Sequence, residues 1–276
     1  MNNLSVIILT NNVEAKLEDC LKSAQDLGEV IVLDGGSTDR TLEIAKNYKA
    51  RVVQQKKGSY LVWRNQGRDE AKGEWLLYVD SDERITPELR KEIVEMIARG
   101  PAAVFPPEKP IKGTLSGGPP SRVTPRGVAA YAIPRRNFVF GKELKHGGWY
   151  PDYVIRLIRK DRLIKWEGEL HEQPKIDGEL GYFKNAFIHL KENNLSDMVE
   201  KTNKWSEIEA KLLLDSGHPP MAWWRFVRPV ISEVIDRLII KLGFLDGVKG
   251  IIFSVYQGYS VFMRYAKLWE MQKKRQ

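Results

Sequence analysis

In "WLLYVDSDE" two aspartates, Asp80 and Asp82, stand one residue apart with Glu83 beside them, directly after an apolar run. An Asp-x-Asp triplet can gather a hard divalent cation, one carboxylate bonding directly and the other acting through water or a ribose hydroxyl. Such a cation would bridge the two phosphates of a nucleotide. It would also relieve the repulsion among carboxylates this close. Taken alone, the triplet reads more readily as a solvated loop, or as a cap in which Asp82 or Glu83 starts the next helix. Two further polar clusters share the pattern: Thr10 and Asn12 follow "LSVIIL", and Asp34 with "GGSTD" follows "EVIVL". Gly35 and Gly36 permit a tight turn and close backbone approach. No G-x-G-x-x-G follows the first apolar run, which disfavours a dinucleotide site.

Clusters of this kind can act together only if strands end side by side. Leu4–Thr10, Glu29–Asp34, Arg51–Gln55 and Glu74–Asp80 read as strands, three of them continuous enough to be buried on both faces. Helical spacing covers 13–25, with Val13, Leu17, Cys20, Leu21 and Ala24 on one face, and 38–49, where "STD" caps and Leu42, Ala45 and Tyr48 point inward. A third helix fits 60–72, and a fourth starts at "TPEL" with Thr86 as N-cap and Pro87 at the first helical position. The alternation predicts an α/β fold with a doubly wound parallel sheet, whose ligands bind beyond the carboxyl ends of the strands.

From Pro106 to Gly127 the chain turns to Pro, Gly, Ser and basic residues, a functional loop or an insert. Strand-like runs resume in "VAAYAIPRRNFVFG", "DYVIRLIRK" and "RLIKWEGE". From about Asn194 the pattern is helical, broken at "DSGHPP" and "GFLDG". Within it, Val227, Val230, Ile231, Val234, Ile235, Leu238, Ile239 and Leu242 share one face. That face must pack on protein or lie on a membrane, and Trp223, Trp224, Arg225 and the tail "KKRQ" suit the second use.

The 276 residues are 42% hydrophobic and carry a formal net charge of +8, enough apolar content for a large folded domain and a balance that favours an anionic partner. The basic set Arg135, Arg136, Lys142, Lys145 and His146 reads as a solvated face or as a contact for acceptor phosphates; it lacks the interleaved aromatics of a single-strand nucleic-acid platform, so no nucleic acid is expected. One cysteine, Cys20, excludes an intrachain disulfide framework. The N-terminal "MNNLSVIILT" has neither the basic region nor the apolar length of a signal peptide, and no stretch offers about 20 uncharged apolar residues. A cytoplasmic protein is expected.

"VIVLDGGSTDRT", then Trp63, Arg64 and Asn65, then "YVDSDE", resembles the glycosyltransferase family 2 pattern. The later segments "HGGWYPDYVIRLIRK", "LHE" and "GFLDGVKG" with "YAKLWE" resemble its lipopolysaccharide core β-glucosyltransferase branch. The resemblance implies a GT-A domain over 1–190, with a mostly parallel sheet flanked by helices, and a helical amphipathic region over 191–276 for oligomerisation, membrane association or both. It implies a nucleotide pocket of Thr10, Asn12, Asp34 and Arg64, in which Asp34 accepts from the imide N–H of a uracil. Asp80 and Asp82 would take ribose and a Mg or Mn ion, with His171 as a further metal ligand or phosphate contact. Glu172, about ninety residues on, would be the base, and Asp152 the competing carboxylate that holds the acceptor sugar.

Trp149 and Tyr150 could stack on a sugar face; His189, ending the strand-like "AFIHL", reads as a core or hydrogen-bonded residue rather than a ligand, although some relatives use a late histidine near the diphosphate. Val13 and Arg40 depart from the pattern, where relatives usually carry Glu and often Gly. The implied activity is inverting, metal-dependent transfer of a hexose from a nucleotide sugar, UDP-linked, to a glycan or lipid-linked acceptor such as lipopolysaccharide core. The expected place is the inner face of the cell membrane, with a homo-oligomer possible through the C-terminal helices. Two alternatives stand beside it. A nucleotidyltransferase usually has a Gly-rich, Lys/Arg-bearing loop that "TNNVEAKLED" lacks; a non-catalytic membrane-associated scaffold leaves the ordered acidic clusters unexplained.

Overall fold

The computed structural model describes residues 3–55, 58–98, 114–115, 127–168, 172–191 and 194–274. In chain order these form β1 (Leu4–Thr10), α1 (Glu14–Ala24), β2 (Glu29–Asp34), α2 (Thr41–Asn47), β3 (Arg51–Gln54), α3 (Tyr60–Glu70), β4 (Trp75–Asp80), β5 (Glu83–Ile85) and α4 (Pro87–Ala98). There follow β6 (Thr114–Leu115), β7 (Val128–Val139), β8 (Lys142–Leu144), β9 (Asp152–Arg159), β10 (Leu163–Glu167), β11 (Gln173–Ile176), β12 (Glu179–Tyr182) and β13 (Phe187–Leu190). Three helices close the chain: α5 (Leu195–Asp215), α6 (Trp223–Ile235) and α7 (Gly247–Lys274). The chain divides into two units, 1–136 with 151–189, and 137–150 with 190–276. Most of the expected loop at 106–127 lies outside the described residues.

In the first unit the sheet runs β3-β2-β1-β4-β9-β7-β13-β5. β3, β2, β1 and β4 are parallel, as the alternation predicts. From β9 onward the pairings along that path include antiparallel β4–β9, β7–β9 and β13–β5, so the sheet is mixed. Period-2 alternation divides β1 between two cores. Leu4, Val6 and Ile8 join Leu17, Cys20, Leu89 and Ile93 on one face. Ile7 and Leu9 join Trp63, Tyr78 and Trp166 on the other. Because β1 lies between β2 and β4, strand order reverses there, and the crevice beyond its carboxyl end is where such sheets take ligands. Register sets Thr10 beside Asp34 and Leu9 beside Asp80, so the expected site residues meet at one end of the sheet.

Thr86 caps α4, its Oγ1 accepting from Leu89 N at 3.2 Å. Helix α2 differs from expectation, beginning only at Thr41. Asp39 accepts from Thr41 N through one oxygen and from Glu14 N through the other, joining the two loops rather than serving one helix. The acids at 82 and 83 do not cap a helix either, because Glu83 opens β5.

The second unit packs Val139, Leu144, Met198 and Phe253 around its own small core, with Trp149 and Tyr256 against it. Asp246 ties its loops together, accepting from Lys145 N at 3.0 Å and His146 N at 2.8 Å. Residues 137–150 therefore belong with the helices, an association the boundary at 190 does not anticipate. Among the described residues no helix is long and apolar enough to cross a membrane.

At the other end of β1 and β2, Glu29 accepts from Ser5 Oγ at 2.8 Å, Lys72 N at 3.1 Å and Arg51 Nε at 3.2 Å. Burial alone would raise its carboxyl, but these donors outweigh burial and hold it below the usual 4.5. A depressed carboxyl stabilises the fold above its unfolded pKa and ceases to as pH falls through the folded one. Urea midpoints should therefore favour the parent over Glu29→Gln at pH 7, with the gap closing below about pH 4.3; a constant gap across that range would remove Glu29 from the account.

Candidate active site

Asp34 is fully buried at the end of β2. Its Oδ1 accepts from Thr10 Oγ1 at 3.0 Å and from Ser37 Oγ, and its Oδ2 from Gly36 N at 2.9 Å and Ser37 N at 2.8 Å. Four donors occupy the lone pairs of one carboxylate, leaving none turned outward. The Asp34 side chain thus builds the "GGS" turn at the end of β2. Gly36 adopts φ +92°, and a Cβ there would meet nothing within 4 Å. Backbone is thus presented at the surface in a conformation that side-chain-bearing residues rarely take.

Asn12, at φ 51°, donates its backbone N–H to Ser37 Oγ at 2.9 Å and accepts from Thr38 N at 2.8 Å. Val13 and Arg40, the departures from the family pattern, contribute backbone N–H groups to the same seam, bonding Thr41 Oγ1 and Glu14 Oε2. The two loops are locked together without needing a glutamate at 13.

The acidic end of β4 faces three arginines. Arg64 Nη2 donates to Asp80 Oδ1 at 3.1 Å, and Arg156 Nη2 donates to Asp80 Oδ2 and, at 3.0 Å, to Glu83 Oε1. Glu83 Oε2 in turn accepts from Asp80 N at 3.0 Å. Arg135 lies 3.6 Å from Glu83 Oε1 and bonds Asp152 Oδ2 through Nε at 3.0 Å and Nη2 at 2.6 Å. Burial alone would raise the Asp80 carboxyl, yet Arg156 and Arg64 outweigh it and hold it below the usual aspartate value. The same ion pairs overcome the burial that would lower the Arg156 guanidinium, and it stays protonated.

Three guanidinium groups against Asp80, Glu83 and Asp152 make a network that is neutral on its own. The repulsion that led the sequence reading to a metal at Asp80 is met by arginines. Glu83, which a cap or loop reading leaves idle, is fully buried at the centre. Asp152 is also buried and engaged with Arg135.

Arg64 reaches this network from α3 because its guanidinium lies over the rings of Trp166, at 4.9 Å, and Tyr78, at 5.8 Å. Its Nε and Nη1 are buried with no hydrogen-bond partner among the described residues. Asn65, the next residue, accepts from Trp166 N at 2.9 Å and donates to Trp166 O at 3.1 Å. Those bonds anchor the β10–β11 ribbon to α3. In that ribbon Trp166 pairs with Pro174 and Glu167 with Gln173, so Glu172 emerges one residue beyond the last pair, at the Arg64 end of the ribbon. His171 lies outside the described residues.

Asp82, in the turn after β4, is partly exposed, with its Oδ2 3.6 Å from His189 Nε2 on β13. That strand reaches it because His189 is in register with Glu83. Among the described residues no three His, Cys, Asp or Glu side chains converge on one point. Trp149 packs on Phe253, with ring centres 4.7 Å apart, and its ring meets Lys191 and Arg237, while Tyr150 is exposed. Arg156 and Glu83 are what sequence reasoning missed. The available signal was a lone arginine inside the apolar run "YVIRLI", where a buried cation requires a buried anion.

The profile of Glycosyl transferase family 2 matches residues 5–163, more than half of the chain. The chain belongs to this family. It is a glycosyltransferase, and its β1–β4 half carries the pattern read from "DGGSTD" and "VDSDE". Lipopolysaccharide core biosynthesis glycosyltransferase LpsC of Rhizobium meliloti is 21% identical, over 95% of this chain and 93% of that protein. An uncharacterised glycosyltransferase of Rickettsia bellii is 25% identical, over 97% and 86%. Among solved structures, S. aureus TarS 1-349 in complex with UDP-GlcNAc is 17% identical over 99% of this chain and 92% of that one, with a TM-score of 0.42, too slight a likeness to carry an argument.

Removing Glu83 should strand Arg156 and Arg135 in a buried setting. Glu83→Ala is expected to cost about 3–5 kcal/mol in urea unfolding, the range for breaking one half of a buried ion pair. Asp82→Asn, at a partly exposed position, should cost under about 1 kcal/mol. Equal losses would show that the network is not what holds this end of the sheet.

Proposed function

We propose that the protein transfers a hexose with inversion from a UDP-linked sugar to a glycan or lipid-linked acceptor, with a divalent cation, at the inner face of the cell membrane. The observation that carries this reading is the meeting of Asp80, Asp82, Arg64 and His189 with the Thr10–Asp34 turn at the carboxyl ends of adjoining strands. The acceptor class follows the printed name of the LpsC relative.

The donor set at Asp82 fits a hard or borderline divalent ion. One carboxylate and one imidazole, with Oδ2 and Nε2 3.6 Å apart, are too few for a structural cage and suit an ion that completes its shell with diphosphate oxygens and water. When bound, a Mg or Mn ion would offset charge on the departing diphosphate. Asp80, held by two arginines, is better suited to accept from a ribose hydroxyl than to ligate. The buried Nε and Nη1 of Arg64, without a hydrogen-bond partner among the described residues, give the crevice wall a fixed positive field.

Glu172 acts as general base in this reading, taking the proton of the acceptor hydroxyl as its oxygen attacks the anomeric carbon from the face opposite the diphosphate. The new glycosidic bond forms as the bond to the diphosphate oxygen breaks. Thr10, Asn12 and the Asp34-built turn receive the nucleoside, with backbone groups in the role first given to the Asp34 carboxylate.

Release of UDP from a panel of UDP-sugars, with and without Mn²⁺ or Mg²⁺, tests the reading. Glu172→Gln should lower kcat by about 10²–10⁴ with donor affinity nearly unchanged. Asp82→Ala should weaken donor binding and remove the metal response. Full turnover in the first variant would sink the base assignment, and an unchanged metal response in the second would sink the cation site.

A further inference from the structure

Helices α6 and α7 form an antiparallel hairpin. Met221 N donates to Gln272 Oε1 at 2.9 Å at its open end, and Phe226 meets Phe262 further along. A Cβ on Gly258 would lie 2.5 Å from Val234 Cγ2, so the helices touch close to backbone there. The seam on α6 therefore runs through Phe226, Val230 and Val234.

Roughly a third of a turn from that seam, Val227, Ile231 and Ile235 recur every fourth residue and Ile239 continues the row, all exposed. On α7 the seam runs through Gly258. About a quarter-turn from it, in the same rotational sense, stand Val248, Ile252, Val255 and Tyr259, again exposed. Two antiparallel helices whose stripes are displaced in the same sense from their shared seam carry those stripes on the same side. The hairpin thus presents one broad apolar face. Its closed end adds Ile240, Phe244 and Leu245, and Trp223, 74% exposed, stands with Trp224 at the open end. A contiguous apolar face of this extent marks an interaction surface.

Charge indicates what covers it. The acids of this segment are engaged: Glu233 with Arg237, Asp236 with Lys241, Asp246 with His146, and Glu270 with Lys274. Arg228, exposed beside the tryptophans, and Arg225, half-buried with its Nε enclosed, have no carboxylate partner among the described residues. A second copy would bring the same cationic rim against itself with no free acid to meet it. An anionic lipid surface complements both features, accepting apolar side chains below the headgroups, tryptophans at headgroup level and arginines at the phosphates.

We propose that this face of the α6–α7 hairpin seats in the interfacial layer of an anionic phospholipid bilayer, with both helices lying along the surface. The inference deepens the membrane-side location proposed above and rests on that reading only for which membrane is met.

The full chain should float with vesicles of phosphatidylglycerol and phosphatidylcholine in equal parts and much less with phosphatidylcholine alone. Ile235→Glu with Ile252→Glu should lower partitioning about tenfold or more. Arg225→Ser with Arg228→Ser should also lower it about tenfold and flatten its salt dependence. Circular dichroism checks that both variants fold, and UDP release without acceptor should match the parent in each. Loss of UDP release in the parent would count against the glycosyltransferase chemistry while leaving the vesicle result to stand. Failure of the parent to bind anionic vesicles, equal binding by both double variants, or a dimer abolished by Ile235→Glu with Ile252→Glu in place of vesicle binding would each overturn the proposal.

Discussion

Arg156 sits near the middle of a strand, buried, with its guanidinium between Asp80 and Glu83. A cation in that position is tolerable only if its anions arrive with it. That requirement fixes how β4 ends, why β5 turns back at once to deliver Glu83, and why β9 must lie beside β4. Arg64 and Arg135 extend the constraint to α3 and β7. Four strands and a helix are held in mutual register by charges that would be costly to leave singly, and the mouth of the crevice inherits its shape from them.

This arrangement divides the Asp-x-Asp pair. Asp80 is neutralised from within and oriented by two guanidinium groups, so its role is geometric before any ligand enters. Asp82, one residue outside the network, is the carboxylate whose position a divalent ion could exploit, and β13 brings His189 alongside. Arginines within the fold already offset Asp80 and Glu83. A pair in which both carboxylates depended on a cation would couple folding to metal supply.

The parallel half of the sheet was legible because each of its strands is a local apolar run ending in polar residues, and because the helices between them carry their own spacing. Thr10, Asp34, Asp80 and Asp82 stand out for the same reason, each at or just after the end of such a run. What was not legible depends on contacts distant in sequence. Asp34 ends a legible strand, but its bonds to Thr10 and Ser37 are not announced by the run itself. Glu83 looks like a surface acid until Arg156, 73 residues later, is brought to it. The antiparallel half of the sheet hid for a similar reason, since strand direction is set by partners and not by the run itself. Residues 137–150 joined the helical unit through Asp246, a pairing about a hundred residues long.

The two units put apolar residues to opposite uses. In the first, alternation along β1 divides its side chains between two cores, and buried arginines meet buried carboxylates. In the second, α6 buries none of its residues fully, while α7 buries a few and leaves a whole stripe open. A helix as apolar on its open face as on its packed one lacks a partner that water cannot be. Internal stability does not account for that pattern, because moving Val227 or Ile231 to a polar residue would remove no contact in the seam. In the reading proposed above, those side chains meet a surface that the rest of the chain does not supply.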